Sequence, residues 1–275
     1  MIIWLYLICA WFPLESPKAS HLIEQMNRSI SSIKNVQYDF VMDERWFNKI
    51  VHSESHIRVR LNPTAVYLKF IKSNSPAKEV LYNPELYGSR AQISIGKYIP
   101  TVGLNVSNAK MRHEQHHTIL DAGFGKLNKI LYRAYKDDVA TFDRLSTVED
   151  NIEFNGRKCW RIVMFSNQFA YVRYTVQKGE TLSRIANSKG ISEYLILEKN
   201  SMKDYTDFKV GQEILIPNAY SKRFVCLIDK ENYVPIYQEV YDEKGVFEKY
   251  SYSKVKVNHT ITETEFSKKN KEYCL

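Results

Sequence analysis

The stretch Tyr174-Thr175-Val176-Gln177-Lys178-Gly179-Glu180-Thr181-Leu182-Ser183-Arg184-Ile185-Ala186 decides how the chain is read. Tyr174 to Val176 spells a short strand, and Gly179 permits a tight turn behind it. Glu180 or Thr181 can cap a helix whose inner face is Leu182, Ile185 and Ala186, and Gly190 ends it. Working outward, Ser192 can cap a second helix that carries Leu195 and Ile196 and closes near Asn200. Val210-Gly211-Gln212-Glu213 then leads into a second strand, Ile214-Leu215-Ile216, stopped by Pro217. The order is strand, helix, helix, strand within residues 174–217, a unit small enough to be only marginally stable alone.

These residues, in this order, resemble a LysM module. The resemblance implies binding of N-acetylglucosamine-containing glycans, above all peptidoglycan, in a shallow groove between two loops. Carried onto this sequence, one wall is Gly179, Glu180, Thr181 and Leu182. The other runs from Met202 to Lys209, with Met202, Asp204, Tyr205 and Phe208 as its candidate contacts. Backbone amides would meet the acetamide, and Met202, Tyr205 or Phe208 would offer its methyl group an apolar surface. A groove that desolvates so little area predicts weak affinity, roughly 10–1,000 μM. The same residues also have a purely architectural reading. Leu182 is a core position by its spacing, Glu180 and Thr181 are caps, and Ser201 to Asp207 diverges from common LysM sequences, which allows a module that has lost its ligand.

The remaining chain is ordinary in composition for a folded protein: 275 residues, 44% hydrophobic and 25% charged. Nineteen Tyr and 13 Phe against 10 Gly favour β-rich structure. The net charge of +8 lies wholly outside the module, where six basic residues (178, 184, 189, 199, 203, 209) balance six acidic ones (180, 193, 198, 204, 207, 213). The excess is Lys scattered among Glu and Asp rather than a basic run, which argues against a nucleic-acid partner and fits an anionic envelope partner better.

Met1 to Phe12 is almost wholly apolar, too short to span a bilayer, which takes about twenty residues. It reads as a secretory signal over 1–20 with cleavage near Ala19, although no Lys or Arg precedes the apolar run. Cys9 lacks the small preceding residue that lipidation requires. Cys159 and Cys226 lie on the strands flanking the module; they are a candidate disulfide in an oxidising compartment, with two buried thiols as the alternative. Cys274 is left unassigned.

Around the module the pattern is that of a host domain, 21–173 and 218–275. A helix is predicted over 21–34 from Leu22, Ile23, Met26, Ile30 and Ile33. Strands follow at 36–41, 57–61, 65–70 and 79–82, then a helical stretch over 119–134 interrupted near Gly123 and Gly125. Cys159 to Phe165 and Arg223 to Asp229 are strands that nearly abut once the module is removed, so the module enters a strand-to-strand connection, where insertions cost little. Residues 234–241 and 246–252 form a hairpin across Gly245. In strand order and turn residues, the host resembles the bacterial lipoprotein carriers and an uncharacterised Bacteroidetes-type secreted family. That resemblance implies an α+β fold: a curved antiparallel half-barrel sheet, closed over by N-terminal and crossing helices, with an apolar concavity able to hold acyl chains. No individual functional residue transfers from it.

His113-Glu114-Gln115-His116-His117 fits the His-Glu-x-x-His pattern of zinc peptidases. That chemistry needs His113 and His117 on one helical face, Glu114 as general base and a third ligand, for which only Glu149 and Glu153 offer themselves. Asn105 to Asn108 and Gly123 leave little room for such a helix, so a polar loop or helix start is the competing reading. The sequence therefore describes an exported, cofactor-free, non-enzymatic protein of the periplasm or envelope. It would hold a glycan through the module and a lipid, lipoprotein or protein partner through the host. The alternative is a metal-dependent wall hydrolase using 113–117.

Overall fold

The computed structural model describes residues 17–262 and 264–275. Met1 to Phe12, read as the apolar part of a signal, lie outside the described residues. The host begins with α1 (Ala19–Ser32), β1 (Asn35–Trp46), β2 (Lys49–Leu61), β3 (Thr64–Ser73), β4 (Glu79–Tyr82), α2 (Pro84–Tyr87), β5 (Arg90–Ser94) and β6 (Val102–Asn105). Two 3₁₀ turns, Ala109–Arg112 and Ile119–Asp121, lead to α3 (Gly125–Asp137), α4 (Val139–Arg144), β7 (Ser146–Phe154) and β8 (Arg157–Phe165). The module supplies β9 (Tyr171–Thr175), α5 (Leu182–Lys189), α6 (Glu193–Lys199) and β10 (Glu213–Pro217). The chain closes with β11 (Arg223–Asp229), β12 (Pro235–Asp242) and β13 (Gly245–Val257).

Among the described residues, eleven strands form one antiparallel sheet in the order β6-β5-β4-β3-β2-β1-β13-β12-β11-β8-β7, curved and not closed. Strand alternation sorts its side chains onto two faces. Val36, Tyr38, Ile57, Val59 and Ile162 share one core with Leu22, Ile23 and Met26 of α1 and Leu127 and Leu131 of α3. Ala65, Tyr67 and Leu81 point the other way and are covered by Phe266. The amphipathic spacing of α1 predicts which of its residues are buried; its start does not match the predicted boundary. Ala19 already lies in the helix and is buried, and the Ser20 backbone N–H and hydroxyl both donate to Asp143 at 2.8 Å. The folded host therefore starts no later than Ala19, and cleavage behind that residue would remove part of a packed helix.

β8 and β11 are hydrogen-bonded neighbours, with Arg223 opposite Phe165, so β9 to β10 is an excursion from a single strand-to-strand connection. β9 and β10 pair only with each other, from Tyr171 opposite Pro217 to Thr175 opposite Glu213. The paired strand thus begins at Tyr171, three residues before the sequence boundary. The same register settles the cysteines. Cys226 faces Ile162 while Cys159 faces Asp229, so the two are displaced by three positions, about 10 Å along the strands. That exceeds the reach of a disulfide, and both are free, buried thiols. Burial pushes the Cys159 thiol up to about 11. The disulfide expectation is corrected to two inert core residues.

Candidate functional site

The module is capped as its sequence asks. Thr181 Oγ1 accepts from Arg184 N at 3.1 Å and Ser192 Oγ accepts from Leu195 N at 3.4 Å, each satisfying an amide that the helix leaves open. Gly190 ends α5 at φ +65°, a left-handed conformation that side chains with a Cβ resist. The expected groove residues divide sharply. Gly179, Thr181 and Asp204 are exposed, and Glu180 and Phe208 are half-buried. Leu182 and Met202 are 0% and 3% exposed and belong to the module core, so neither can touch a ligand without unpacking it. Glu180 is committed locally: Oε1 accepts from Tyr174 OH at 2.6 Å and Oε2 from Gln177 N at 2.8 Å. Asp204 Oδ1 accepts from Thr206 N at 2.7 Å, which closes the second loop on itself.

Tyr205 departs most from expectation. Its hydroxyl donates to the Gln115 carbonyl of the host at 2.9 Å, and the Arg112 guanidinium lies 3.6 Å from its ring centre. The tyrosine expected at a sugar is a docking residue. It belongs to an extensive interface centred on α6, where every residue from Glu193 to Glu198 is buried. Arg112 Nη1 donates to Glu193 Oε1 at 2.8 Å, and Arg45 Nη2 donates to Glu198 Oε2 at 3.0 Å and to Asp242 Oδ2 at 2.5 Å. Tyr194 donates to Glu198 Oε1 at 2.8 Å, accepts from Phe47 N at 2.9 Å and stacks on His116 at 3.8 Å. Tyr194 and Leu195 are packed into the host core, while Trp46 and Phe47 of the host pack on the module core. The module is therefore packed into the host core as well as inserted between two of its strands.

Sequence reasoning missed Arg45, Arg112, Tyr194 and Trp46 because each looks locally unremarkable. The one available signal was α6 itself, whose apolar residues 194–197 run around the helix instead of along one stripe.

The His-Glu-x-x-His segment does not make a metal site. Its 3₁₀ turn stops at Arg112, His113 is extended with ψ 122°, and Glu114 has φ +58°, so His113 and His117 never share a helical face. Glu114 pairs with Lys49, and His113 is exposed. Among the described residues no three His, Cys, Asp or Glu side chains are grouped as a metal would need, Glu149 and Glu153 included. The hydrolase alternative loses the geometry that recommended it. His116, between the motif's two histidines, is instead fully inside: its N–H donates to Glu44 Oε2 at 2.8 Å, Nδ1 lies 3.0 Å from Glu248 Oε1 and Nε2 2.7 Å from the Arg45 carbonyl. Burial alone would lower its pKa, but Glu44 and Glu248 outweigh burial and hold it raised. Burial likewise would raise Glu248, and the charges of His117 and His116 hold it well below the usual carboxylate range.

Beside this cluster the host holds a half-open cavity of about 200 Å³. Phe40, Met42, Ile57, Leu68, Phe70 and Met111 make it apolar; Glu44, His117, Gln238 and Tyr250 make one end polar. Lys110, Met111, Gln115, His117 and Thr118 line it from the same segment that docks the module.

A family model described as protein of unknown function (DUF1571) matches residues 33–177 and 198–275, and a LysM domain model matches residues 174–217. No curated protein matches the chain. Among solved structures, an uncharacterized conserved protein from Thermus thermophilus is similar at 9% identity and a TM-score of 0.40, covering 90% of this chain and 91% of that one. Lipoprotein LppX from Mycobacterium tuberculosis is similar at 9% identity and a TM-score of 0.43, over 88% of this chain and 96% of that one. A putative outer membrane lipoprotein-sorting protein domain from Vibrio parahaemolyticus aligns at 10% identity and a TM-score of 0.32, over 90% and 95%. Likeness at this level transfers neither ligand nor activity.

Proposed function

The chain belongs to the family described as protein of unknown function DUF1571, and from that premise we propose that it is an exported envelope protein holding peptidoglycan or another N-acetylglucosamine glycan through residues 174–217. The observation that carries this reading is the LysM match; the exposure of Gly179 and Thr181 on one loop and of Asp204 on the other supports it. The apolar Met1 to Phe12 supports export, and no helix among the described residues is long and apolar enough to cross a membrane.

Retention of the full chain on purified peptidoglycan tests the glycan reading. Wild type is expected in the bound fraction, and Phe208→Ala combined with Thr181→Ala is expected to release it. Equal retention of the double variant would place the groove elsewhere.

A second reading concerns the host, and the cavity favours it. A half-open, mostly apolar slot against the sheet suits an apolar chain. Its volume is below the roughly 300–1,000 Å³ of ordinary small-molecule pockets, so one narrow chain fits better than a branched lipid. Competition by long-chain amphiphiles for a fluorescent apolar probe tests it.

A further inference from the structure

The polar end of the cavity carries two groups with nothing to bond. Gln238 is 2% exposed, and its Oε1 is buried without a hydrogen-bond partner among the described residues. The His117 ring nitrogens are also buried and make no hydrogen bond; Nε2 lies 3.5 Å from Glu248 Oε1, and Nδ1 has no such neighbour. Both side chains adjoin Tyr250. Gln238 stands opposite it across β12 and β13, and the His117 ring lies 5.9 Å from the Tyr250 ring. Tyr250 itself is taken, donating to Glu44 Oε1 at 2.6 Å.

A buried acceptor left unpaired costs about 1–3 kcal/mol. Two such groups beside one phenol stand without partners on the wall of an apolar slot. We infer that this part of the cavity binds the uncharged head of a single-chain amphiphile, a hydroxyl or primary amide that donates to Gln238 Oε1 and meets His117 Nδ1. Donor capacity narrows the choice further. Glu248 is faced by His116 at 3.0 Å and His117 at 3.5 Å, so its charge does not decide the head group. A carboxylate or fully ionised phosphate has no proton to give Gln238 Oε1 and would leave it unpaired, whereas a neutral hydroxyl or amide satisfies it.

This inference rests on the host reading above, and calorimetry of the full chain with decanol, decanamide, decanoate and decyl phosphate separates the two. Decanol and decanamide are expected to bind at least about tenfold tighter than decanoate or decyl phosphate, the equivalent of one good hydrogen bond. Gln238→Leu removes the unpaired acceptor and is expected to abolish that preference while leaving the thermal midpoint unchanged or higher. His117→Phe keeps the ring against Tyr250 and is expected to reduce the preference independently. If no probe binds, the host reading falls and takes this inference with it. If decanoate or decyl phosphate binds as tightly as decanol, or if both variants keep the preference, the head-group assignment alone is overturned.

Discussion

Two buried polar clusters lie on either side of the segment 109–118, and they are finished differently. On the module side each buried charge faces an opposite one: Arg112 meets Glu193, and Arg45 meets Glu198 and Asp242. On the cavity side the charges are equally enclosed, yet Gln238 Oε1 and His117 Nδ1 stay unpaired. Burial of polar groups is tolerated when they are partnered and costly when they are not. The module side, matched charge to charge with only Arg112 Nε unbonded, fixes one chain segment against another; on the other side the unpaired groups belong to residues that line a cavity. The contrast also separates the module's two faces: α6 is fastened to the host, and Gly179, Thr181 and Asp204 stay exposed.

The sharpest way to break this comparison is to unbalance the charge-matched side. Arg45→Met leaves Glu198 and Asp242 buried with their main counter-charge gone, and a loss of about 3–5 kcal/mol is expected in chemical denaturation. A loss below about 1 kcal/mol would mean that the interface is hydrated and loosely held. A second test is pH. His116 has a raised pKa in the fold, so its contribution is complete below the unfolded value of about 6.5 and is lost as pH rises through the folded value. Glu248 is depressed, so its contribution persists above about 4.5 and adds no slope there. Stability should fall above pH 6.5 by up to about 1.4 kcal/mol per pH unit for that one proton, and His116→Gln should flatten the curve. An unchanged slope in the variant would assign the fall to another group.

Smaller effects probe the edges. Tyr205→Phe deletes the bond to the Gln115 carbonyl and should cost about 1 kcal/mol without reducing glycan retention, since the hydroxyl faces the host. Reduced retention would return Tyr205 to the groove. Thr181→Ala removes the α5 cap, for about 1 kcal/mol at most, and should weaken retention as well. Lost stability with full retention would make Thr181 a cap only.

Much of this was legible because the signals are local. The 3.6-residue spacing of Leu22, Ile23, Met26 and Ile30 places α1 on the sheet, and Gly245 marks the β12–β13 hairpin. The caps at Thr181 and Ser192 are written in adjacent residues, and the α+β reading with a curved antiparallel sheet holds. Other features depend on distant partners. Glu193 and Glu198 look like the solvent side of a helix until Arg112 and Arg45 arrive from 81 and 153 positions away. The His-Glu-x-x-His match failed because a motif records spacing, and the same spacing here passes through an extended His113 and a left-handed Glu114. β5, β6 and β7 were missed for a related reason. They are short or largely exposed at the sheet's ends, where alternation fades. The orphaned Gln238 could not be read at all, because an unpaired atom is defined by what surrounds it.

The sinking of α6 into the host has a mechanical result. The module leaves and rejoins the sheet through neighbouring strands, and α6 is pinned against β1 and the segment 109–118, which denies it a swivel. If residues 174–217 hold a glycan as proposed, the host cavity would keep a set bearing to that polymer, which a loosely tethered anchor could not impose.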